Sequence, residues 1–594
     1  MFDARPDWHA VDLAALPAPI ILDISPFQES ITDLKNYALS LLEADGNSYA
    51  LKHLSSSSYG FISTILSTGT LGDRVSALTL VVQESPVHTT KFFEILCGLA
   101  KKRGRSQAMV ALEAIKDLLG AGAVLPGDRR LFHFDHQPGL LGVLQRDKIT
   151  CWKQGSSLPR GITKKHMILW AYEDWLKNAY FNVLKVLEVW CNDEVEFARS
   201  RAVTYVYELL REKPEQESNL LRLLVNKLGD PDRKIASRTS YLILQLQIIH
   251  PLMKSVIIRA IENEVLLRSG QNLYAKYHAI NTLNQTILSV KEEDVTRKLL
   301  DIYFDLFLAL LGTTSEAIVR PQADQQAFKK RSGRVKAGVL KGTAKDVGQS
   351  ASVITEKLIS AILTGVNRAL PYAKSDDMTY AFLNISPIVL YTDKLTCRFQ
   401  THMDSLFAIT HSSNFNTSIQ ALMLIQQLTA SKNIAVDRFY RTLYESLLDP
   451  RLASSSKHAM FLNLLFKALR SDLNVKRVKA FVKRLVQVIT FHQPPFICGA
   501  LYLLKELEAT FPGLRSLLEN AEEYDDGSEN FFDVPDGIAV FSPQTQSLRD
   551  DLDLKHRDVD FGAKKANTYD ARKRDPEHSN ADKSCLWELV CSIP

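Results

Sequence analysis

Two histidines, His133 and His136, stand three positions apart with Asp135 between them, and Cys151 follows later in the chain. Imidazole, carboxylate and thiolate groups are the ligands that zinc prefers in proteins, so these residues are candidates for a metal site. A zinc site normally needs three or four convergent ligands with supporting hydrogen bonds, and the sequence brings only the two histidines together. We therefore expect ordinary structural roles for them and no bound metal.

Catalytic motifs are missing from the sequence. There is no G-x-x-x-x-G-K-[ST] phosphate loop, no G-x-S-x-G nucleophile turn and no H-E-x-x-H zinc helix. The seven cysteines form no C-x-x-C pair, which indicates reduced thiols rather than a redox motif or a disulfide framework. The sequence therefore predicts a protein that is not an enzyme and that carries no cofactor.

Basic side chains offer a different chemistry, the neutralisation of phosphate groups. The net charge of the chain is only +5, so attraction to a nucleic acid would have to come from local clusters. The largest cluster lies between residues 320 and 350, where only Asp324 and Asp346 oppose it. Its members are Arg320, Lys329, Lys330, Arg331, Arg334, Lys336, Lys341 and Lys345. The segment has little apolar periodicity, so it is predicted to be either a solvated, disordered insertion or a flexible arm that contacts RNA phosphates.

Two smaller clusters are predicted on or beside helices. Lys476, Lys479 and Lys483 recur at a spacing of three and four residues on a helix predicted over residues 474–488, so they share one face. Val478, Phe481, Val482 and Leu485 would form its buried face. The lysine row is either a phosphate contact or an ordinary charged solvent face. A third basic run, residues 101–105, is a candidate phosphate contact or a turn between helices.

The elements that must position these side chains form a repeat. Polar turns at Asp193 and Asp230, 37 positions apart, each lead into an amphipathic helix, and related turns begin at Gly72, Asn414 and Asp449. The expected buried positions are Ala202, Val206, Leu209 and Leu210 in the first helix and Ile235, Tyr241, Leu242, Leu244 and Leu246 in the second. A unit of about 40 residues with paired helices is typical of HEAT and armadillo repeats, which bury their apolar faces against their neighbours. We predict an all-α, HEAT/armadillo-like solenoid.

Composition divides the predicted solenoid into segments. Residues 1–319 form an N-terminal solenoid segment, 320–350 the basic insertion, 351–518 a C-terminal solenoid segment, and 519–594 an extended tail that is first acidic and then basic. The tail ends in an apolar cluster at Leu586, Trp587 and Leu589, which is predicted to dock onto the solenoid or onto a partner. No apolar run reaches the roughly 18–20 residues that span a bilayer, so we expect a soluble, intracellular protein with no membrane contact.

Several longer strings resemble the CCAAT-binding factor family, whose members include the eukaryotic nucleolar complex proteins. They appear in the family's order at residues 73–86, 209–217, 227–231, 363–369, 411–417, 437–441, 449–452, 493–500 and 579–589. The resemblance implies a non-catalytic scaffold in the nucleolus, where the large (60S) ribosomal subunit is assembled. It also implies that precursor ribosomal RNA, a second nucleolar complex protein and other assembly factors are the partners.

Two other functions stay open. The family's historical name points to a CCAAT-type transcriptional regulator that binds DNA or transcription factors. The sequence shows no helix-turn-helix, C2H2 finger or basic region followed by heptads that would place side chains on base edges, so we rank this function second. A pure protein–protein adaptor is the third possibility, because the concave face of a solenoid is a general protein-binding surface.

Overall fold

A computed structural model of the chain describes residues 2–20, 23–53, 57–319, 343–373, 403–412, 414–432, 435–519 and 569–591. Every regular element in these ranges is helical, which confirms the predicted all-α class. The chain divides into two compact units, Met1–Val295 and Thr296–Pro594.

The first unit is built from consecutive helices joined by short turns. Its α-helices are α1 (Gln28–His53), α2 (Ser57–Thr68), α3 (Leu71–Glu84), α4 (Thr90–Ala100), α5 (Arg105–Leu119), α6 (Pro138–Asp147), α7 (Lys164–Cys191), α8 (Glu196–Glu212), α9 (Glu217–Asn226), α10 (Arg233–Ile249), α11 (Lys254–Ile261) and α12 (Leu273–Gln285). Short 3-10 turns lie at Trp8–Ala10, Ser25–Phe27, Phe134–His136, Lys227–Gly229 and Pro251–Met253, and a π-helical turn, Glu262–Leu266, follows α11.

Neighbouring helices of this unit stack on one another, as the solenoid prediction requires. Helix α5 packs against α4 and α8, α8 against α7, α9 and α10, and α10 against α12. All four predicted core positions of α8 are buried. In α10 the prediction is wrong for Tyr241, which is 51% exposed and lies with the Arg238 guanidinium 5.5 Å from its ring. Ile235, Leu242 and Leu246 are buried as predicted, and Leu244 is half-buried.

The two repeat turns recognised in the sequence share one construction. Asp193 Oδ1 accepts a hydrogen bond from the backbone N–H of Val195 at 2.8 Å, and Asp230 Oδ1 accepts one from the N–H of Asp232 at 3.0 Å. Each carboxylate also meets an arginine, Arg105 at 3.0 Å from Asp193 and Arg199 at 3.2 Å from Asp230. The aspartates thus fix the turns and tie them to a neighbouring helix.

Helix α7 is the longest of the central helices and is covered on several sides. It packs against α1, α4 and α8, and both Trp170 and Trp190 are buried. The extended N-terminal segment also lies close to α6, because a Cβ atom placed on Gly142 would come within 1.8 Å of the Pro17 carbonyl oxygen. Glycine is therefore required there by space.

The second unit begins within α13 (Glu293–Val319) and repeats the same stacking. It contains α14 (Thr343–Ala369), α15 (Phe415–Lys432), α16 (Val436–Ser446), α17 (Arg451–Ser454), α18 (His458–Arg470), α19 (Val475–Ile489), α20 (Pro494–Thr510), α21 (Ser516–Glu519) and α22 (Glu588–Cys591). Residues 403–410 are also helical, and 3-10 turns lie at Leu370–Tyr372, Pro512–Arg515, Pro576–His578 and Ala581–Lys583. Helix α15 packs against α14, α16 and α18, and α20 packs against α18 and α19.

The sequence predicted the bounds of one helix in this unit closely. Helix α19 coincides with the predicted helix over 474–488, because the side chain of Asn474 accepts hydrogen bonds from the N–H groups of Lys476 and Arg477 and so caps it. Residues 343–350 belong to α14, so this end of the predicted basic insertion is helical. The rest of the insertion lies outside the described residues.

Of the helices that the structure describes, none alone is long and apolar enough to cross a membrane. The pair Arg233–Ile249 and Pro251–Leu266, bent by 120°, passes the test of length and composition.

The carboxylate of Asp230 provides a test of the repeat turn. Its side chain is 1% exposed, so Asp230→Ala leaves Arg199 without its buried partner and should destabilise α8 and α10 by about 3 kcal/mol. The matched control is Asp232→Ala, which removes only the cap on α10 and should cost about 1 kcal/mol. Native-state hydrogen exchange of the whole chain measures both. Equal losses would show that Asp230 is no more than a helix cap.

Candidate interaction surface at the C-terminal tail

The predicted basic arm is mostly outside the described part of the chain. Arg320, Lys329, Lys330, Arg331, Arg334, Lys336 and Lys341 lie in residues that the structure does not describe. Lys345 lies in the first turn of α14. Their role in RNA binding therefore stays a prediction.

The lysine row of α19 does not form one solvent face. Lys476 is exposed, and Lys479 Nζ donates a hydrogen bond to Ser516 Oγ at 2.7 Å. Lys483 is 1% exposed, so its expected place on the solvent face is wrong. The cause is the C-terminal segment 569–591, which we call the tail clasp and which packs across α19.

Lys483 forms a buried ion pair with the tail clasp. Its Nζ lies 2.7 Å from Glu588 Oε1 and donates a hydrogen bond to the carbonyl oxygen of Cys585 at 2.5 Å. Gln487 Nε2 donates a hydrogen bond to Glu588 Oε1 at 3.0 Å, and the Tyr569 hydroxyl donates one to Gln487 Oε1 at 3.1 Å. Such additional bonds are what a buried ion pair needs to offset the cost of removing two charges from water.

Arg484, the next residue of α19, holds the other end of the clasp. Its guanidinium donates hydrogen bonds to the carbonyl oxygens of Tyr444 at 3.1 Å and Ala571 at 2.7 Å, and it lies 3.3 Å from the centre of the Tyr444 ring. Burial lowers the pKa of Arg484 from its usual value, an effect that the nearby Tyr444 and Tyr569 oppose. The arginine therefore connects α16, α19 and the tail clasp.

Charged contacts at the surface complete the attachment. Arg441 Nη2 lies 2.5 Å from Asp575 Oδ2, and Arg574 pairs with Glu445. Between α16 and the clasp these contacts border a cavity of about 670 Å³, whose lining includes the basic residues Arg438, Arg441, Lys573 and Arg574 and the acids Glu445 and Asp575. Three of the cations pair with acids, since Arg438 also meets Asp404. The cavity is suited to an anionic group, although most of its charge is already balanced.

Comparison with known proteins identifies a family for the C-terminal part of the chain. Residues 418–592 match the model of the CBF/Mak21 family, and this match contains both α19 and the tail clasp. "Ribosome biogenesis protein NOC1" of Chaetomium thermophilum is 53% identical over 595 residues, which cover 99% of this chain and 54% of that protein. Residues 418–592 of the chain form a CBF/Mak21 domain.

Two more distant relatives agree with this assignment. "CCAAT/enhancer-binding protein zeta" of Homo sapiens is 36% identical, with 95% of this chain and 49% of the relative covered. "Nucleolar complex protein 1" of Drosophila melanogaster is 26% identical, with 89% and 40% covered. The chain thus spans about half the length of these relatives.

The three residues of the predicted apolar anchor are buried to different extents. Leu586 is buried, and its N–H donates a hydrogen bond to the Leu517 carbonyl oxygen at 2.8 Å. Leu589 is half-buried, whereas Trp587 is 53% exposed, with its ring centre 5.3 Å from Lys483 Nζ. Sequence reasoning missed Glu588, because its lysine partner lies 105 positions earlier. A lone glutamate within an apolar terminal cluster was the available signal.

His133, the first of the two histidines, lies in a cluster with Asp174 and Lys35. His133 Nδ1 lies 3.0 Å from Asp174 Oδ1, and Lys35 Nζ lies 2.9 Å from Asp174 Oδ2. Burial raises the pKa of Asp174, but hydrogen bonds from Lys35 and His133 outweigh it, and the pKa lies below its usual value. In the described ranges no three His, Cys, Asp or Glu side chains are grouped to hold a metal ion.

The buried Lys483–Glu588 pair predicts how the clasp can be released. Glu588→Ala leaves a buried lysine without its partner and should weaken clasp docking by about 3–5 kcal/mol. Limited proteolysis of the whole chain should then cut residues 569–591 faster. The double variant Lys483→Met/Glu588→Leu removes both charges and should recover protection.

Trp587→Ala is the matched control for this experiment, because the exposed indole contributes little to docking. Faster cleavage in Trp587→Ala than in Glu588→Ala would contradict the assignment of the ion pair as the main attachment.

Proposed function

We propose that this chain is a non-catalytic scaffold in the nucleolar assembly of the large (60S) ribosomal subunit. The observation that carries the proposal is the 53% identity, over 99% of the chain, to a protein named for ribosome biogenesis. The nucleolar location rests on the name of the Drosophila melanogaster relative. Both relatives are named for a place or a process rather than for a reaction, which agrees with a scaffold.

A helical scaffold suits this role for physical reasons. Stacked helices present a long surface whose exposed residues can vary without disturbing the buried faces. The tail clasp adds rigidity at the end of the second unit, because α19 is attached to it through side chains on two adjacent positions, Lys483 and Arg484. We propose that such a surface holds several components of a precursor particle together.

Precursor ribosomal RNA is the first proposed partner. The cations of residues 320–345 are the main proposed phosphate contacts, and exposed Lys476 is a second one. Lys483 is buried and is therefore removed from the proposed phosphate contacts. Lys479 contributes less to phosphate binding, because its ammonium group already donates a hydrogen bond to Ser516 Oγ. Contacts of this kind bind RNA through its charge and not through its sequence.

A second nucleolar complex protein and further assembly factors are the other proposed partners. Exposed apolar side chains lie beside the clasp attachment, where Trp587 is 53% and Leu518 56% exposed. Trp587 follows Leu586 and Leu518 follows Leu517, and a backbone hydrogen bond joins Leu586 to Leu517. We propose this small apolar patch as one contact with a protein partner, since aromatic and leucine side chains that are half in water gain by being covered.

Purification of the tagged whole chain from nucleolar extract, with and without ribonuclease, tests the proposed function. We expect precursor large-subunit RNA that disappears on ribonuclease treatment, together with a nucleolar complex protein that remains. Promoter DNA and transcription factors without ribosomal precursors would instead favour the CCAAT-type regulator. Protein partners with no RNA in either sample would favour the pure adaptor.

The basic arm has its own test. Changing Lys329, Lys330, Arg331 and Arg334 together to Ala should weaken binding of unrelated RNA sequences to a similar extent. It should also reduce the salt slope of log affinity by up to about 3, since each phosphate contact to a single strand contributes about 0.7. The control replaces the two lysines by Arg, which keeps the charge. An unchanged slope in the alanine variant would remove the arm from the RNA contact.

A further inference from the structure

A groove in the first unit gathers cations that have no acidic partner. The turn between α4 and α5 and the C-terminal half of α7 enclose a cavity of about 600 Å³. Its lining includes Lys101, Lys102, Arg103, Arg105, Lys185 and Val189. Arg105 pairs with Asp193, but the other four cations form no ion pair with any carboxylate in the described residues. All four are exposed, so their charge is directed to solvent or to a ligand.

A hydrogen bond and an ion pair hold the walls of this groove in place. Trp190 Nε1 donates a hydrogen bond to the carbonyl oxygen of Ala100 at 3.0 Å, at the end of α4. The Arg105–Asp193 pair, at 3.0 Å, fixes the start of α5 to the turn before α8. The basic turn therefore lies on a supported frame, which lowers the entropic cost of placing its side chains against a ligand.

The groove adjoins the start of α8, because Asp193, three residues before that helix, is part of its lining. Glu196 at the start of α8 meets Lys234 at the start of α10 at 3.8 Å, and Arg233 Nη2 lies 3.4 Å from the Tyr274 hydroxyl at the start of α12. These contacts show that successive helix starts are neighbours along one edge. Four aromatic residues of these helices are at least 36% exposed: Phe197 and Tyr274 in the first turns of α8 and α12, and Phe181 and Tyr241 in the middle of α7 and α10.

Each of these rings has a cation beside it. Lys185 Nζ lies 4.7 Å from the centre of the Phe181 ring, and the Arg201 guanidinium lies 5.5 Å from that of Phe197. The Arg238 guanidinium likewise lies over the Tyr241 ring, and the Arg233 guanidinium lies over the Tyr274 ring. Exposed acids, among them Glu188 and Glu194, are also present on this side, so the surface is a row of local contacts rather than a uniform positive field.

We propose that the groove and these exposed rings bind single-stranded RNA, with phosphates at Lys101, Lys102, Arg103 and Lys185 and bases stacked on the rings. This inference rests on the proposed function and adds a specific RNA surface in the first unit. Alternation of cations with exposed rings favours RNA over an acidic peptide, because a peptide would use the charge but not the stacking surface. Stacking accepts any base, so the site binds RNA with little sequence preference.

The test measures binding of a fluorescent oligouridylate to the whole chain at several salt concentrations. Changing Lys101, Lys102, Arg103 and Lys185 together to Ala should weaken binding at least tenfold and reduce the salt slope by about 3, at about 0.7 per lost contact. The matched control changes four exposed cations elsewhere in the unit, Lys148, Lys153, Arg160 and Lys164, to Ala, with the same loss of charge. We expect the control to bind almost as the unchanged chain does.

A second variant tests the stacking surface separately. Phe197→Ala should weaken oligouridylate binding by about fivefold or more, as expected for a stacked base, while Phe197→Tyr keeps a ring and should bind normally. Phe197 is 62% exposed, so the change leaves the fold intact. Loss of binding in the alanine variant that the tyrosine variant restores cannot come from a change in charge.

Three outcomes overturn the proposal. The groove variant and the control variant bind equally, or polyglutamate displaces the probe better than unlabelled oligouridylate does, or Phe197→Ala binds normally. In each case the nucleolar scaffold still stands if the unchanged chain purifies with precursor ribosomal RNA. If that RNA is missing from the purification while the groove binds the probe, the proposed function fails and the RNA surface remains.

Discussion

The turns between helices depend on one recurring interaction, a side-chain oxygen of Asp or Asn that accepts the backbone N–H two residues later. It occurs at Asp193 and Asp230 in the first unit and at Asn414, Asp449 and Asp472 in the second. A tight turn is needed because each amphipathic helix can bury its apolar face only against the next one. The short side chain satisfies the turn's N–H locally, so the chain can reverse without leaving a polar group unpaired.

The same carboxylates connect the fold to the candidate binding surfaces. Asp193, Asp230 and Asp472 each pair with an arginine, and those arginines are thereby fixed and neutralised. In the described residues, Lys101 and Lys185 form no ion pair with a carboxylate, although both line the groove that contains the Arg105–Asp193 pair. The repeat therefore decides which basic residues belong to the fold and which are available to a ligand. This sorting cannot be seen in the net charge of +5.

Local signals in the sequence predicted the helices well, and contacts between distant residues were the part that they could not supply. Apolar periodicity and the cap residue Asn474 predicted α19 to within one residue of its ends, since both signals act within a single turn. Lys483 follows the same periodicity as exposed Lys476, and only the tail clasp, about a hundred residues later, makes it a buried residue. In the same way, the basic run 101–105 was visible, but its opposite wall at Lys185 was not. The spacing of side chains along the sequence shows which residues share a face of a helix. Contacts with distant parts of the chain determine what covers that face.

The use of an ion pair to attach the clasp has a physical consequence for specificity. Two apolar side chains at positions 483 and 588 could give similar docking strength, because removing two charges from water offsets much of their attraction. An apolar contact, however, tolerates a shift of the segment along α19. The Lys483 ammonium must meet both Glu588 and the Cys585 carbonyl oxygen, and Gln487 must reach the same carboxylate, so a displaced clasp would leave a buried charge unpaired. The pair therefore selects one register of the clasp, and with it one position for exposed Trp587 beside Leu518. A partner that recognises both side chains would meet them at a fixed spacing.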